Sequence, residues 1–358
     1  MEKKQSNNSF RVGLIFAGSL GIGITLLAVF LSFVGFNTII ETIRTVDMRL
    51  LFIAFLLDMT GLLLYGTCWY VLLRAAGLRM KFWTSISIAL AGIFACYITP
   101  SGFFMDASRV LLASKESDIR IGDGAATVIL HKIAFTLGFV TFALVGMTML
   151  FLSYGFPSAL AMNIVAFAIL IIAGIAGLAL LVAKSHRLEH RMPSIAERGK
   201  SFLRRVAGKY YPLVLSSLGN LTIDFRETFM RLIKHPGAML ASYGLALGYW
   251  TTSVLIFYIV FVALGYNVSV WVIMLTISIG DFVQMTPIAI PGMLGILEVV
   301  TTTVLVMFGV PLNIAASATV LARVATFWFD LPITGAAASY YGAKYVAGLA
   351  QGLSKASN

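Results

Sequence analysis

Six runs of twenty or more largely apolar residues constrain this chain before anything else: Val12–Val34, Leu50–Leu73, Ala125–Leu152, Ala159–Ala183, Ala238–Leu264 and Asn313–Tyr341. Each is long enough to cross a hydrocarbon layer of about 30 Å as a helix. Only helices and closed barrels satisfy their backbone polar groups in lipid. The expectation is therefore an all-α polytopic membrane protein. Of the 358 residues, 59% are hydrophobic and 11% charged, which agrees. The longest hydrophilic stretch, Lys184–Pro236, has 53 residues, too few for a nucleotide-binding or acyl-transfer domain of ordinary size. No GxxxxGK[ST] phosphate loop occurs, so the chain is not expected to carry its own ATPase. The net charge of +11 sits in loops rather than on a nucleic-acid face. Val12–Val34 follows Lys3, Lys4 and Arg11, exceeds a signal-peptide apolar region and lacks an A-x-A site, and reads as a retained first span.

Two further apolar segments are broken by proline. Phe82–Ser114 is interrupted at Thr99-Pro100, and Val270–Val310 at Thr286-Pro287 and Pro291-Gly292. If the first crossed once, Lys184–Pro236 would face outside with its eleven Lys and Arg, against the positive-inside bias. If it dips in and returns, that loop is cytoplasmic. The 26 basic residues then divide into 21 inside, two outside (Arg44, Arg49) and three buried (Arg109, Lys132, Arg323). The second broken segment takes the same reading, and both termini fall inside.

This arrangement exposes a repeat. Trp83 precedes Thr99-Pro100 by 16 residues and Trp271 precedes Thr286-Pro287 by 15. Ala126-Thr127-Val128 is followed by His131 as Ala318-Thr319-Val320 is by Arg323, with Phe135 and Phe327 beyond. The expected organisation is six full spans plus two re-entrant broken-helix hairpins in an inverted repeat, an architecture typical of transporters. Residues 1–153 form the first half: two spans, a hairpin and a span. Residues 154–345 form the inverted second half, with a basic cytoplasmic insertion at 184–236, and 346–358 a cytoplasmic tail. In the insertion, Leu221, Phe225, Phe229 and Leu232 share one helix face, suited either to the inner leaflet or to a solvated connector. His186 and His190 have no third ligand, and Cys68 and Cys96 lie inside apolar runs as packing residues. No metal or cofactor is expected.

Charges in a hydrocarbon layer are expensive and usually face a cavity or a partner. Here they are Asp58, Asp106, Arg109, His131, Lys132, Asp281, Glu298, Arg323 and Asp330, with Gln284 beside the second break. Many gather on the broken hairpins, although Asp106 and Arg109 at i,i+3 could simply neutralise each other. The tip residues Thr99, Pro100, Ser101, Gly102, Pro287, Pro291, Gly292 and Gly295 leave backbone groups without helical partners. At membrane depth that requires a protein-lined or watery cavity. Half-helix N-termini and Arg109, Lys132 and Arg323 would suit an anionic phospho-headgroup.

The sequence resembles the lysylphosphatidylglycerol synthase transmembrane-domain, or flippase-like, family from the first span to Tyr341. Thr99-Pro100-Ser101 with Asp106 and Arg109 resembles its TP-x5-E-x2-R, and Pro291 to Glu298 fits its PG-x2-G-x2-E. Gly309-Val310-Pro311, then Arg323 with Phe327-Trp328 and Leu331-Pro332, resembles its closing R-x3-FW segment. Where the family usually has an E-R pair followed by D, this chain reads His131-Lys132 and Phe135; Phe104-Met105 replaces small glycines. The resemblance implies movement of aminoacylated phosphatidylglycerol between leaflets, or service in lipid-linked sugar pathways. The namesake's synthase activity belongs to a separate soluble domain, so no enzymatic activity is carried over. The expected function is a lipid translocator in the cell membrane, with Asp106, Asp281 and Glu298 binding cationic groups or protons, and Arg109, Lys132 and Arg323 holding phosphate. The alternatives are an ion-coupled small-solute transporter and a non-transporting partner of a lipid-modifying or glycosyl-transfer enzyme.

Overall fold

The computed structural model describes residues 20–44, 46–99, 103–154, 211–285 and 290–356, and scattered residues between 166 and 180. The remainder of Ala159–Ala183, His186, His190, Pro100, Ser101, Gly102, Thr286 and Pro287 lie outside the described residues. Among those described, the chain is helical without strands. The helices are α1 (Leu20–Val34), α2 (Phe36–Arg44), α3 (Met48–Ala75), α4 (Phe82–Ile98), α5 (Phe103–Ser117) and α6 (Ile121–Tyr154). After the insertion come α7 (Tyr211–Ile233), α8 (Pro236–Ala263), α9 (Val270–Met285), α10 (Ile296–Met307), α11 (Leu312–Arg323) and α12 (Phe329–Ala356). A π-helical turn, Val324–Trp328, joins the last two.

Among the described residues, four helices are long and apolar enough to cross a membrane: Met48–Ala75, Ile121–Ser153, Pro236–Ala263 and Leu312–Tyr345. They coincide with four of the six expected spans; the other two are described only in part. The protein is thus an all-α polytopic membrane protein. Residues 346–356, expected as a tail, continue α12 as helix.

Local chemistry explains the ends. Asp47 caps α3 by accepting from the Arg49 N–H at 2.9 Å, and Pro236 opens α8 in the first turn, where its missing N–H costs nothing. Each of these 28-residue helices stops at a glycine with positive φ, Gly77 (78°) and Gly265 (65°). Leu78 N–H reaches Leu73 O and Tyr266 N–H reaches Phe261 O, both at 3.0 Å, closing the same six-residue C-cap.

α3 and α8 pack antiparallel along their length. Gly61 faces Thr252 and Tyr249, Gly248 faces Leu64, and the Cys68 thiol donates to Ser242 O at 3.3 Å. Cys68 is therefore a packing residue at this seam. Glycine at 61 is needed because a Cβ would approach Thr252 Oγ1 to 2.9 Å.

α4 and α5 fold back on each other, with Gly92 against the Arg109 side chain. α9 and α10 do the same, with Gly280 facing Thr301. These four helices have 17, 15, 16 and 12 residues, short of the ~20 needed to cross. α4 packs on α12, and α9 on α6. One apolar core gathers Tyr65, Trp69, Ile88, Val110 and Tyr341; another gathers Leu150, Val260, Ile273, Leu305 and Leu321.

The insertion's amphipathic helix departs from both sequence readings. Phe229 and Leu232 are fully buried against Leu72, Ala76, Ala126 and Leu130, so the apolar face of α7 is spent on protein rather than lipid or water. Arg120 donates to Asp224 at 2.5 Å, Thr228 to Asp123 at 2.6 Å and Arg231 to Ala76 O at 2.8 Å. These polar partners lie far away in sequence, which is why a local pattern could not reveal the docking.

Candidate functional site

The charges gather into three places, and two of them belong to the hairpins. In the first, Asp106 and Arg109 sit on consecutive turns of α5, opposite His131 and Lys132 of α6. Lys132 donates to Asp106 at 2.8 Å, whereas Arg109 approaches the same carboxylate only to 4.0 Å. The i,i+3 neutralisation available from sequence is thus the weaker contact. Lys132 was expected to be buried; its side chain is 55% exposed and that of Asp106 21%, so this pair faces the protein's surface. An exposed amine on a four-carbon stem can leave the protein interior where a guanidinium wedged between helices cannot.

Arg109 is wholly buried. Its guanidinium lies over the Trp69 ring at 4.4 Å and the Tyr65 ring at 5.3 Å, favourable placements for a desolvated cation. Nη1 donates to Tyr65 OH at 3.0 Å and faces His131 Nδ1 at 3.4 Å. His131 Nε2 meets Tyr65 O at 3.0 Å. A carbonyl accepts only, so Nε2 carries the hydrogen and Nδ1 offers its lone pair to the arginine: the neutral imidazole fits both contacts. Arg109 Nε and Nη2 find no hydrogen-bond partner among the described residues. Buried unpaired donors are costly, and Arg109 carries two donor nitrogens in that condition.

The second place is the tip of the other hairpin, and it is saturated. Gly292 and Gly295 have φ of 58° and 81°, conformations that glycine adopts without strain. Glu298, in the first turn of α10, accepts from Gly295 N–H at 2.7 Å through one oxygen and from Arg323 Nε at 2.9 Å through the other. Arg323 Nη2 donates to Gly292 O at 2.7 Å, and its guanidinium lies 4.4 Å from the Phe327 ring centre. The charges therefore clasp the broken backbone, supplying partners that the proline-glycine break removed. A Cβ on Gly295 would come within 2.5 Å of Leu26 Cβ, and one on Gly292 within 2.5 Å of the Phe327 ring. The glycines admit α1 and an aromatic ring.

Asp58 of α3 and Asp330 of α12 form the third place, with the Tyr97 hydroxyl donating to Asp330 at 2.9 Å. Asp281 is half-buried on α9 and Gln284 is exposed, outside all three. No ion pair joins the two hairpin centres among the described residues. Thr99 ends α4 by donating to Ala95 O, and Pro291 is buried at the second tip.

Sequence reasoning missed the aromatic groups that hold these charges: Tyr65, Trp69 and Tyr97. Trp69 is itself fixed by donating to Thr127 Oγ1 at 3.1 Å. The available signal was that Asp58 and Tyr65 stand seven residues apart, hence on one face of α3.

Comparison with known proteins agrees with the motifs that the hairpins display. The chain is 27% identical over 329 residues to a UPF0104 membrane protein of Pyrococcus horikoshii, covering 88% of this chain and 93% of that one. A UPF0104 membrane protein of Methanothermobacter thermautotrophicus is 24% identical over 325 residues, with coverage of 90% and 94%. One from Archaeoglobus fulgidus is 26% identical over 263 residues, covering 72% and 76%. Residues 15–333 match the family model described as the lysylphosphatidylglycerol synthase TM region, a match that takes in both hairpins and the Glu298–Arg323 clasp, and the chain belongs to that family.

Proposed function

We propose that the protein translocates a phospholipid, or another lipid with a phosphate-bearing headgroup, between leaflets, with Arg109 holding the phosphate. The observation that carries this is the two unpartnered donor nitrogens of a fully buried arginine in a broken hairpin. Around it Arg109 and Lys132 are cationic, Asp106 is anionic and His131 is neutral, so the place has room for one negative charge. A phosphodiester supplies that charge together with acceptor oxygens in a geometry the guanidinium fork matches. The surface position of Lys132 and Asp106 gives the headgroup an entry beside α5 and α6 while its chains stay in lipid.

On this reading the two short-helix pairs are re-entrant hairpins of an inverted repeat, with both termini cytoplasmic in the cell membrane. The neighbour pattern supports it: α3, α4, α5 and α6 touch one another as α8, α9, α10 and α11 do, and each hairpin leans on the span closing the opposite half. The family description supports a lipid substrate. Glu298 and Arg323, being saturated, act as the fixed tip against which the first hairpin works. The role is transport rather than chemical conversion.

The test is redistribution of fluorescent phosphatidylglycerol in vesicles containing the purified protein. Wild-type protein should accelerate exchange between leaflets, and Arg109→Gln should abolish it in a protein that still purifies as a single species. Exchange unchanged by Arg109→Gln would refute the proposal.

A further inference from the structure

The Asp58–Asp330 pair takes no part in holding phosphate, yet it brings a half-buried and a buried carboxyl together without a cation among the described residues. The two carboxyls lie within hydrogen-bonding reach of each other. Asp330 is 3% exposed. Oδ2 of Asp58 and Oδ1 of Asp330 have no partner, although Tyr97 serves the other Asp330 oxygen. Among the described residues no lysine, arginine or histidine pairs with either carboxyl.

The groups facing the pair from each packed element are of no help in balancing its charge. From α4 comes Tyr97, from α8 Tyr249, which also lies within electrostatic range of Asp281 on α9. Arg323, immediately before the π-helical segment, is committed to Glu298 and Gly292. His131 and Arg109 stand with Tyr65, two turns along α3 from Asp58. Two touching carboxylates without a cation cannot both be ionised in a medium of low polarity. What is missing between two acceptor oxygens is a hydrogen. Among the described residues, two carboxylates and the Tyr97 phenol converge here with Tyr249 close by, and no group of three or more acidic, His or Cys ligands exists, so a proton suits the place better than a metal ion.

The position couples it to the rest. Asp58 shares a face of α3 with Tyr65, which contacts Arg109. Asp330 follows the π turn Val324–Trp328 that joins α12 to the helix carrying Arg323, and Pro332 removes another backbone bond beside it. Such irregular turns permit local adjustment that a regular helix resists. We propose that Asp58 and Asp330 form a proton-binding site, taking up a proton and giving it back in each cycle, and that this proton drives the lipid movement assigned to Arg109. The driving role rests on that assignment; the proton site itself does not.

The experiment compares wild type, Asp58→Asn and Asp330→Asn in vesicles, each checked for a single species on gel filtration, with two readouts. The first is infrared difference spectroscopy on changing pH. The wild type should show a protonated-carboxyl band at neutral pH that is lost in each variant, because the surviving carboxylate then has an amide donor and can ionise. Absence of such a band in the wild type overturns the proton site, as does a band shift on replacing N-methylglucamine by sodium at fixed pH, which would assign the site to sodium. The second readout is a pH dye inside the vesicles during redistribution of fluorescent phosphatidylglycerol. Wild type should carry protons with lipid and respond to an imposed pH step; the variants should lose that response. Lipid movement indifferent to the pH step in the wild type overturns the driving role. If the wild type moves no lipid at all, translocation itself is refuted and the infrared result alone decides the proton site.

Discussion

Arg109 and Arg323 are the same residue type on comparable supports, and their surroundings assign them different work. Arg323 spends its donors on a carboxylate and a backbone carbonyl, whereas Arg109 is held by rings and one phenol and keeps two donors unspent. Arg109→Lys keeps the charge but loses the planar fork, so lipid exchange in vesicles should fall well below wild type while the protein still inserts. Tyr65→Phe removes the acceptor of Arg109 Nη1 and the hydroxyl's bond to Met105 Sδ, and should lower stability to thermal unfolding by about 2 kcal/mol. Glu298→Gln is another matter. It leaves Arg323 without its partner at the tip, a loss of about 3 kcal/mol, and adding Arg323→Gln should recover part of it in thermal unfolding of the purified protein. No recovery in the double variant would mean that the two charges are not a pair. From sequence alone both arginines looked like phosphate ligands, because a residue's hydrogen-bond partners are set by tertiary geometry that its own neighbours in the chain do not encode.

At the scale of elements, apolar run length and glycine-proline punctuation made α3, α6, α8 and the last span legible, and the proline breaks located both hairpins. The docking of α7 was not legible, since its apolar face is the same whether covered by lipid or by α3 and α6. Gly122 is the joint: a Cβ there would come within 2.5 Å of Leu221 O and 2.7 Å of Asp224. Gly122→Leu should therefore detach α7, seen as new protease cleavage between residues 211 and 233, with the spans intact. The site's aromatic frame was equally hidden, as Tyr65 and Trp69 in an apolar run look like ordinary core. At the other end of the first hairpin, Lys344 and Tyr345 of α12 donate to Glu116 at 2.6 Å each. Burial alone would raise the Glu116 carboxyl, but these bonds outweigh it and hold the group below its ordinary value of 4.5. A depressed acid stabilises above its unfolded value, so the α5–α12 contribution should be complete at neutral pH and disappear as pH falls below about 4.5. Glu116→Gln should remove that acid-side dependence from thermal unfolding curves.

For the whole molecule, α3 pairs antiparallel with α8, α4 packs on α12 and α9 on α6, the pattern on which the proposed inverted repeat rests. Charge placement makes the orientation testable: a Cys replacing Ser117, in a background without Cys68 and Cys96, should resist an impermeant thiol reagent applied outside intact cells, and labelling would overturn the re-entrant arrangement. The central claim is that buried Arg109 holds the phosphate of a membrane lipid. Native mass spectrometry of the purified protein, released gently from detergent, tests it most directly. Wild type is expected to retain a phosphate-bearing lipid adduct that Arg109→Gln loses. Equal retention by both proteins, or retained lipids without phosphate, would contradict the account.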